Sequence, residues 1–359
     1  MDYTKEEESL IWLSCFDVSY GRQKELINKL GLVDLIDKID SKVARDILED
    51  SFDKVLENAD TRFLESYLKA LEKQGVVCLT LKSKNYPEKL KNIENPPFVI
   101  FAKGDLSLLN KTSVGVVGSR TPTNYGRVVT EKFAIEIAKA GVVIVSGLAF
   151  GVDSVAHSAA IKASGKTIAV LGGGFNNIYP SNNDGLANEI SEKGLLISEY
   201  RPSFKPTRYS FPQRNRIIAA LSEGILITEA AQKSGSLHTK NFAIEYGKEV
   251  FVVPGNITSA KSAGSNNIIR SMQGSCVLEP SDILEKLGVK FNVKVRGEAQ
   301  LSMTEEIVIK ALDEGEKGLD ELTELTNLSI NNLVSHLTML EIRGIIKKLP
   351  GNLYMKLED

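Results

Sequence analysis

The chain has 359 residues, 42% of them hydrophobic and 25% charged, with a formal net charge of −2. That length asks for two or three domains, and the near-neutral balance argues against a general nucleic-acid coat. MDYTKEEESL is acidic and lacks a signal peptide's apolar core, no apolar run is long enough to span a bilayer, and three scattered cysteines, Cys15, Cys78 and Cys276, read as reduced thiols. The expectation is a cytoplasmic protein with no membrane role.

Over residues 1–75, ESLIWLSCF, RQKELINKLG, SKVARDILED and TRFLESYLKALEKQG carry apolar residues three and four apart, with glycines punctuating their ends. This predicts a small helical domain. VVCLTL and FVIFA read as short strands, and from residue 113 the pattern becomes regular. SVGVVG, VVIVSG, TIAVLGG, LLISEY, GILITEA and VFVVPG alternate with EKFAIEIAKAG, DSVAHSAAIKASG, GLANEISEKG, RNRIIAALSEG and HTKNFAIEYGKE. Strands apolar on both faces, alternating with helices, predict an α/β domain over 76–287 built on a doubly wound parallel sheet. Residues 288–302 read as a linker. Residues 303–359 fit helix, helix, turn, helix and a β-hairpin turning near residues 350–351, the layout of a winged helix.

Charge is uneven along the chain: net −4 over residues 1–110, +4 over 111–285 and −2 over 286–359. Residues 200–216 hold Arg201, Lys205, Arg208, Arg214 and Arg216 and no acid, interleaved with Tyr200, Phe204, Tyr209 and Phe211. Cations beside rings are the composition of a single-strand groove, where phosphates meet charge and bases stack.

Open α/β sheets bind ligands at the carboxyl ends of their strands. Those ends hold residues 118–121 with Ser119 and Arg120, residues 146–151 with Gly147, the glycines 172–174, the 200–211 loop, and residues 230–236 with Ser234, Gly235 and Ser236. Lys240 follows about a turn into the next helix. Pro122 and Pro212 read as helix starts, which sets Arg214, Asn215 and Arg216 in a first turn where the macrodipole disfavours cations. Two explanations are open: either guanidinium swings out to pair with a distant carboxylate, or the two arginines reinforce a positive crevice for phosphate.

Other chemistry finds little support. GVVGSRTP is not a dinucleotide fingerprint, and there is no phosphate-binding loop of the Walker type. Asp153 and His157, at i and i+4 of one helix, are a candidate acid/base pair, but an Asp at a helix start commonly serves only its neighbours. His157, His238 and His336 are scattered without metal-site spacing, so no metal or cofactor is expected.

GVVGSRTPTNYG, VSGLAFGVDSVAH, AVLGGGFNNIYP, SEYRPSFKPTRYSFPQRNRIIAALSEGILITEA, SGSLHTKNFAIEYGKEVFVVPG and GSNNIIRSMQG together resemble the DNA-processing protein A family (DprA, also called Smf). The resemblance runs from about Tyr86 to about Leu287. It implies an extended Rossmann-like domain, preceded by a helical domain like a sterile alpha motif and followed by a winged helix. It also implies a single-stranded DNA binder without catalytic turnover, acting in natural transformation. Such a protein protects incoming strands, helps load the RecA recombinase, and dimerises through the Rossmann-like domain. Arg120, Arg208, Phe211, Arg214, Asn215 and Ser234 to Ser236 match the family's DNA pocket. Asn331, Asn332 and His336 fall on the expected recognition helix, but the acidic balance of this C-terminal segment puts duplex binding in doubt. The rival reading is a nucleotide-phosphate hydrolase of the lysine-decarboxylase-like Rossmann group, whose PGG-x-GT-x-x-E signature fails at TEAAQKSGSLHT. A pure adaptor with a vestigial crevice is the third, against which stands the unbroken basic run.

Overall fold

The computed structural model describes residues 3–289, 301–313, 315–342, 345–349 and 351–357. Most of the expected linker, at 290–300, and residue 350 of the expected hairpin turn lie outside the described residues. The chain forms two compact units, 1–291 and 292–359.

The first unit begins with α1 (Lys5–Ser14), α2 (Tyr20–Leu30), α3 (Lys42–Leu48), α4 (Phe52–Leu56) and α5 (Thr61–Lys73). Thr4 and Glu7 form a capping box at the start of α1: Glu7 N donates to Thr4 Oγ1 at 3.3 Å, and Thr4 N to Glu7 Oε2 at 2.9 Å. Asp60 caps α5 with its side chain alone, accepting from Phe63 N at 2.6 Å. The helices bury Trp12, Leu13, Leu26 and Leu48 in a core they share with Cys78, Val99 and Phe101 of the sheet. Trp12 satisfies its ring N–H on Asn58 O at 2.8 Å.

The sheet strands are β1 (Val77–Thr80), β2 (Val99–Gly104), β3 (Ser113–Val117), β4 (Val143–Ser146), β5 (Thr167–Leu171), β6 (Leu195–Ser198), β7 (Gly224–Ile227), β8 (Glu249–Val252) and β9 (Ser275–Cys276). Their spatial order is β1-β2-β6-β5-β4-β3-β7-β8-β9. All neighbours from β6 to β9 are parallel, while β1 and β2 join antiparallel at the other edge. Strands β3 to β7 are buried along their whole length, as expected of a sheet covered on both faces. One face packs on α7 (Asn124–Lys139), α8 (Val152–Lys162) and α13 (Pro280–Lys286), the other on α10 (Ser210–Leu221) and α11 (Ser236–Glu245). α9 (Asp184–Lys193) and α12 (Ala263–Arg270) complete this unit with α6 (Glu88–Lys91). Chain order reverses at β3, which has β4 on one side and β7 on the other. A topological switch point of this kind opens a crevice at the strands' carboxyl ends.

The second unit has α14 (Met303–Ala311), β10 (Lys317–Gly318), α15 (Leu319–Thr326), α16 (Ile330–Ile342), β11 (Ile346–Leu349) and β12 (Leu353–Lys356), with the three strands in the order β10-β12-β11. Val308, Leu322, Leu333, Leu337 and Ile346 form its core. This is a winged helix. No helix among the described residues is long and apolar enough to cross a membrane.

Candidate nucleic-acid interface

An open crevice of about 570 Å³ lies at the switch point, between the loops that follow β3 and β7. The β3 loop is held from below. Ser119 N donates to Glu229 O at 2.8 Å, and buried Glu229 accepts from Thr123 N at 2.8 Å and from Thr123 Oγ1 at 2.6 Å. Thr123 in turn caps α7 through Gly126 N, so this helix starts at Asn124, two residues beyond the Pro122 expected to open it. Gly151 has φ +81°, and a Cβ there would stand 2.4 Å from Ser119 O, so only glycine fits beneath this loop. Arg120 is left exposed at the rim.

The floor is built on Arg214. Helix α10 starts at Ser210 rather than Pro212, because Thr207 and Ser210 bond reciprocally, Thr207 N to Ser210 Oγ at 2.9 Å and Ser210 N to Thr207 Oγ1 at 3.2 Å. Arg214 and Arg216 therefore lie past the first turn, and the expected conflict with the macrodipole is relieved. Arg214 is only 4% exposed. Its Nη1 donates to Gly147 O at 2.6 Å and to Val170 O, joining the ends of β4 and β5, and its Nε donates to Asn215 Oδ1 at 3.2 Å. Burial pushes Arg214 down to about 10, and Asp153 opposes that shift. Gly147 lies directly beneath: a Cβ there would meet the guanidinium at 2.4 Å.

Asp153 accepts from Gly147 N at 3.1 Å and Ala149 N at 3.4 Å, with burial pushing its pKa up and Arg214 pulling it back. His157 bonds instead to the start of β5. Thr167 Oγ1 donates to Ile144 O at 2.7 Å, so it accepts at 2.6 Å from His157 Nδ1, which carries the proton. Burial holds His157 down at about 3, so the ring is neutral. Asp153 thus shapes the start of α8 while His157 ties the middle of that helix to β5, and no hydrogen bond among the described residues joins the two. Among the described residues no group of three or more metal-ligating side chains occurs.

Rings line the opposite wall. Phe211 lies on Gly172, where a Cβ would come within 2.7 Å of it. The Tyr179 ring stands 5.5 Å from the Phe211 ring, and the Arg120 guanidinium 5.7 Å above it. Arg208 lies 4.6 Å over the exposed ring of Tyr209. From the β7 side come Ser234 and Ser236, whose hydroxyls are 2.8 Å apart, with Gly235 capping α11.

The crevice thus gathers Ser119, Arg120, Arg208, Phe211, Arg214, Asn215, Ser234, Gly235 and Ser236. Gly147 supports it from below. Arg216 and Lys240 do not line it: Arg216 pairs with Glu199, and Lys240 donates to Gln273 Oε1 at 2.7 Å. Sequence reasoning missed Tyr179, Lys233 and Lys261. Lys261 follows β8 and reaches Thr121 Oγ1 at 2.5 Å. The strand-end rule, applied to VFVVPG as to the other strands, was the signal for it. Among the described residues, Arg120, Arg208, Lys233 and Lys261 have no carboxylate in salt-bridge range, whereas Arg201 and Arg216 do.

Residues 77–288 match the family described as DNA recombination-mediator protein A, and residues 294–352 match the DprA winged helix domain. The chain is 45% identical over 226 residues to the DNA processing protein DprA of Bacillus subtilis, spanning 62% of this chain and 75% of that one. Its fold is similar to the crystal structure of DNA processing protein A from Streptococcus pneumoniae, with TM-score 0.66 and 31% identity, over 81% of this chain and all of the other. A structure describing the single-stranded DNA binding mode of DNA processing protein A from Helicobacter pylori is also similar, with TM-score 0.55 and 34% identity, over 59% of this chain and 95% of that one.

Proposed function

The chain belongs to the DNA recombination-mediator protein A family, and from that premise we propose that its switch-point crevice binds single-stranded DNA in natural transformation. The observation that carries the reading is the set of four cations, Arg120, Arg208, Lys233 and Lys261, left without carboxylate partners around the rings of Phe211 and Tyr179. Unpaired charge in a folded protein repels itself, and a polyanion relieves that repulsion. Rings beside the charges suit bases that have left a stack, which a duplex does not offer.

In this reading Arg120, Arg208, Lys233 and Lys261 meet phosphates, Phe211 stacks on a base, and Arg214 is the floor that holds the site in shape. No turnover is assigned, since Asp153 and His157 are both committed to structural bonds. The same reading makes the protein cytoplasmic, protecting incoming strands and helping to load the RecA recombinase. Homodimerisation through the Rossmann-like domain would cover Ile244, Met272 and Leu278, exposed apolar side chains near the edge strand β9. The winged helix adds little to strand binding, because α16 has no lysine or arginine.

Fluorescence anisotropy of the full chain with labelled oligo-dT and a matched duplex at one salt concentration tests this. Oligo-dT is expected to bind at least about fivefold tighter, the lower end of what one stacked base contributes. Equal or tighter duplex binding would show plain electrostatics instead.

A further inference from the structure

Asp17 lies in the short loop between α1 and α2, far in sequence from the crevice. Its neighbours Phe16 and Val18 are both buried in the N-terminal core, which fixes Asp17 at the surface like a peg between two anchors. Arg201 reaches across to it with both arms, Nη1 to Oδ1 at 2.6 Å and Nη2 to Oδ2 at 2.9 Å. This fork-to-fork geometry sets direction as well as distance.

Arg201 heads the loop that carries Arg208. Behind it the chain is laced to the glycine loop after β5: Gly174 N donates to Phe204 O at 2.9 Å, Asn176 N to Pro202 O at 3.0 Å, and Asn177 Nδ2 to Ser203 O at 3.1 Å. A Cβ on Gly174 would stand 2.1 Å from Arg201 O. Phe175 packs against both the N-terminal core and the cluster under α9. Pro206 then sits over Gly173 and Phe211 over Gly172. One ordered chain of contacts runs from Asp17 through Arg201 and the 172–177 loop to the rings and cations of the crevice.

We propose that Asp17 is a positioning residue for the strand-binding site: by holding Arg201 it fixes the 201–208 loop and sets Arg208 at the crevice rim. The inference rests on the proposed single-strand reading. It makes the N-terminal helices a brace for the site, and it assigns Arg201 to Asp17 and not to a phosphate.

The test uses the full chain, with Asp17→Asn and the exchanged pair Asp17→Arg with Arg201→Asp. Anisotropy with oligo-dT is measured over a salt series, beside hydrogen exchange of the free proteins at residues 201–208. Asp17→Asn removes a negative charge, so electrostatics alone would tighten DNA binding. The brace predicts the opposite, a loss of roughly two- to fivefold, the scale of one exposed ion pair. The salt slope should hold, because no phosphate contact is lost. Exchange at 201–208 should quicken while the sheet core is unaffected, and the exchanged pair should restore both readouts. Tighter binding by Asp17→Asn, or unchanged exchange at 201–208, overturns the proposal. So does an exchanged pair that stays weak with its slope reduced by about 0.7, which would place Arg201 on a phosphate. If the unsubstituted chain fails to bind oligo-dT, the functional reading falls, while the exchange measurement still decides whether Asp17 holds the loop.

Discussion

Arg214 and Arg216 lie two residues apart on α10, so their side chains leave the helix on nearly opposite sides. Arg216 finds the carboxylate of Glu199, and Arg214 finds two backbone carbonyls, the Asn215 side-chain oxygen and, near them, Asp153. The sequence shows that both are cationic and sit in an acid-free run, and nothing in it says which carbonyls a distant strand will present. Arg214→Ala leaves two carbonyls and the buried Asp153 without their cation, so thermal unfolding should reveal a loss of about 3–5 kcal/mol. An unchanged midpoint would show that the floor does not depend on it. His157 gives a pH signature. Its pKa falls from the usual 6.5 to about 3 on folding, so below about 6.5 the unfolded chain binds a proton that the folded one refuses. Stability is then complete above that pH and declines as pH falls toward 3. His157→Gln should flatten the decline in urea unfolding measured from pH 7 to 4, and an identical pH dependence in both proteins would contradict the assignment.

The six parallel strands from β3 to β8 are legible in the sequence because burial on both faces leaves continuous apolar runs such as SVGVV and TIAVL. β9 is not, since its two residues are exposed and serve only to close an edge. Helix starts fail for a related reason. Pro122 and Pro212 are sound first-position signals, but Thr123 and the Thr207–Ser210 pair supply the side-chain oxygens that settle where α7 and α10 begin. At the C-terminus, α16 exposes Asn331, Asn332 and Val334 and holds no lysine or arginine. A helix without lysine or arginine makes a poor partner for a phosphate backbone. Removing residues 292–359, a separate compact unit, should therefore leave both oligo-dT affinity and its salt slope nearly unchanged. Loss of most of the affinity would make the winged helix the main binding surface.

For the whole molecule, a net charge of −2 conceals the site. Four loops, after β3, β6, β7 and β8, each bring one unpaired cation to the switch point, and acids elsewhere balance the total. Strand order makes this convergence possible, and strand order is what alternating apolar runs leave unspecified. Arg120 and Arg208 were accessible to sequence reasoning because they stand in glycine-rich or aromatic company, whereas only the strand-end rule points to Lys233 and Lys261, and their meeting with Arg120 shows once β7 and β8 are seen beside β3. The most direct test of the account is the slope of log affinity against log salt for oligo-dT, compared between the unsubstituted chain and a variant with alanine at all four cations. Each lost phosphate contact should flatten the slope by about 0.7, so the variant should be shallower by about 2.8, while Phe211→Ala weakens binding with its slope intact. A four-alanine variant that binds with the original slope would contradict the claim that these cations hold the strand.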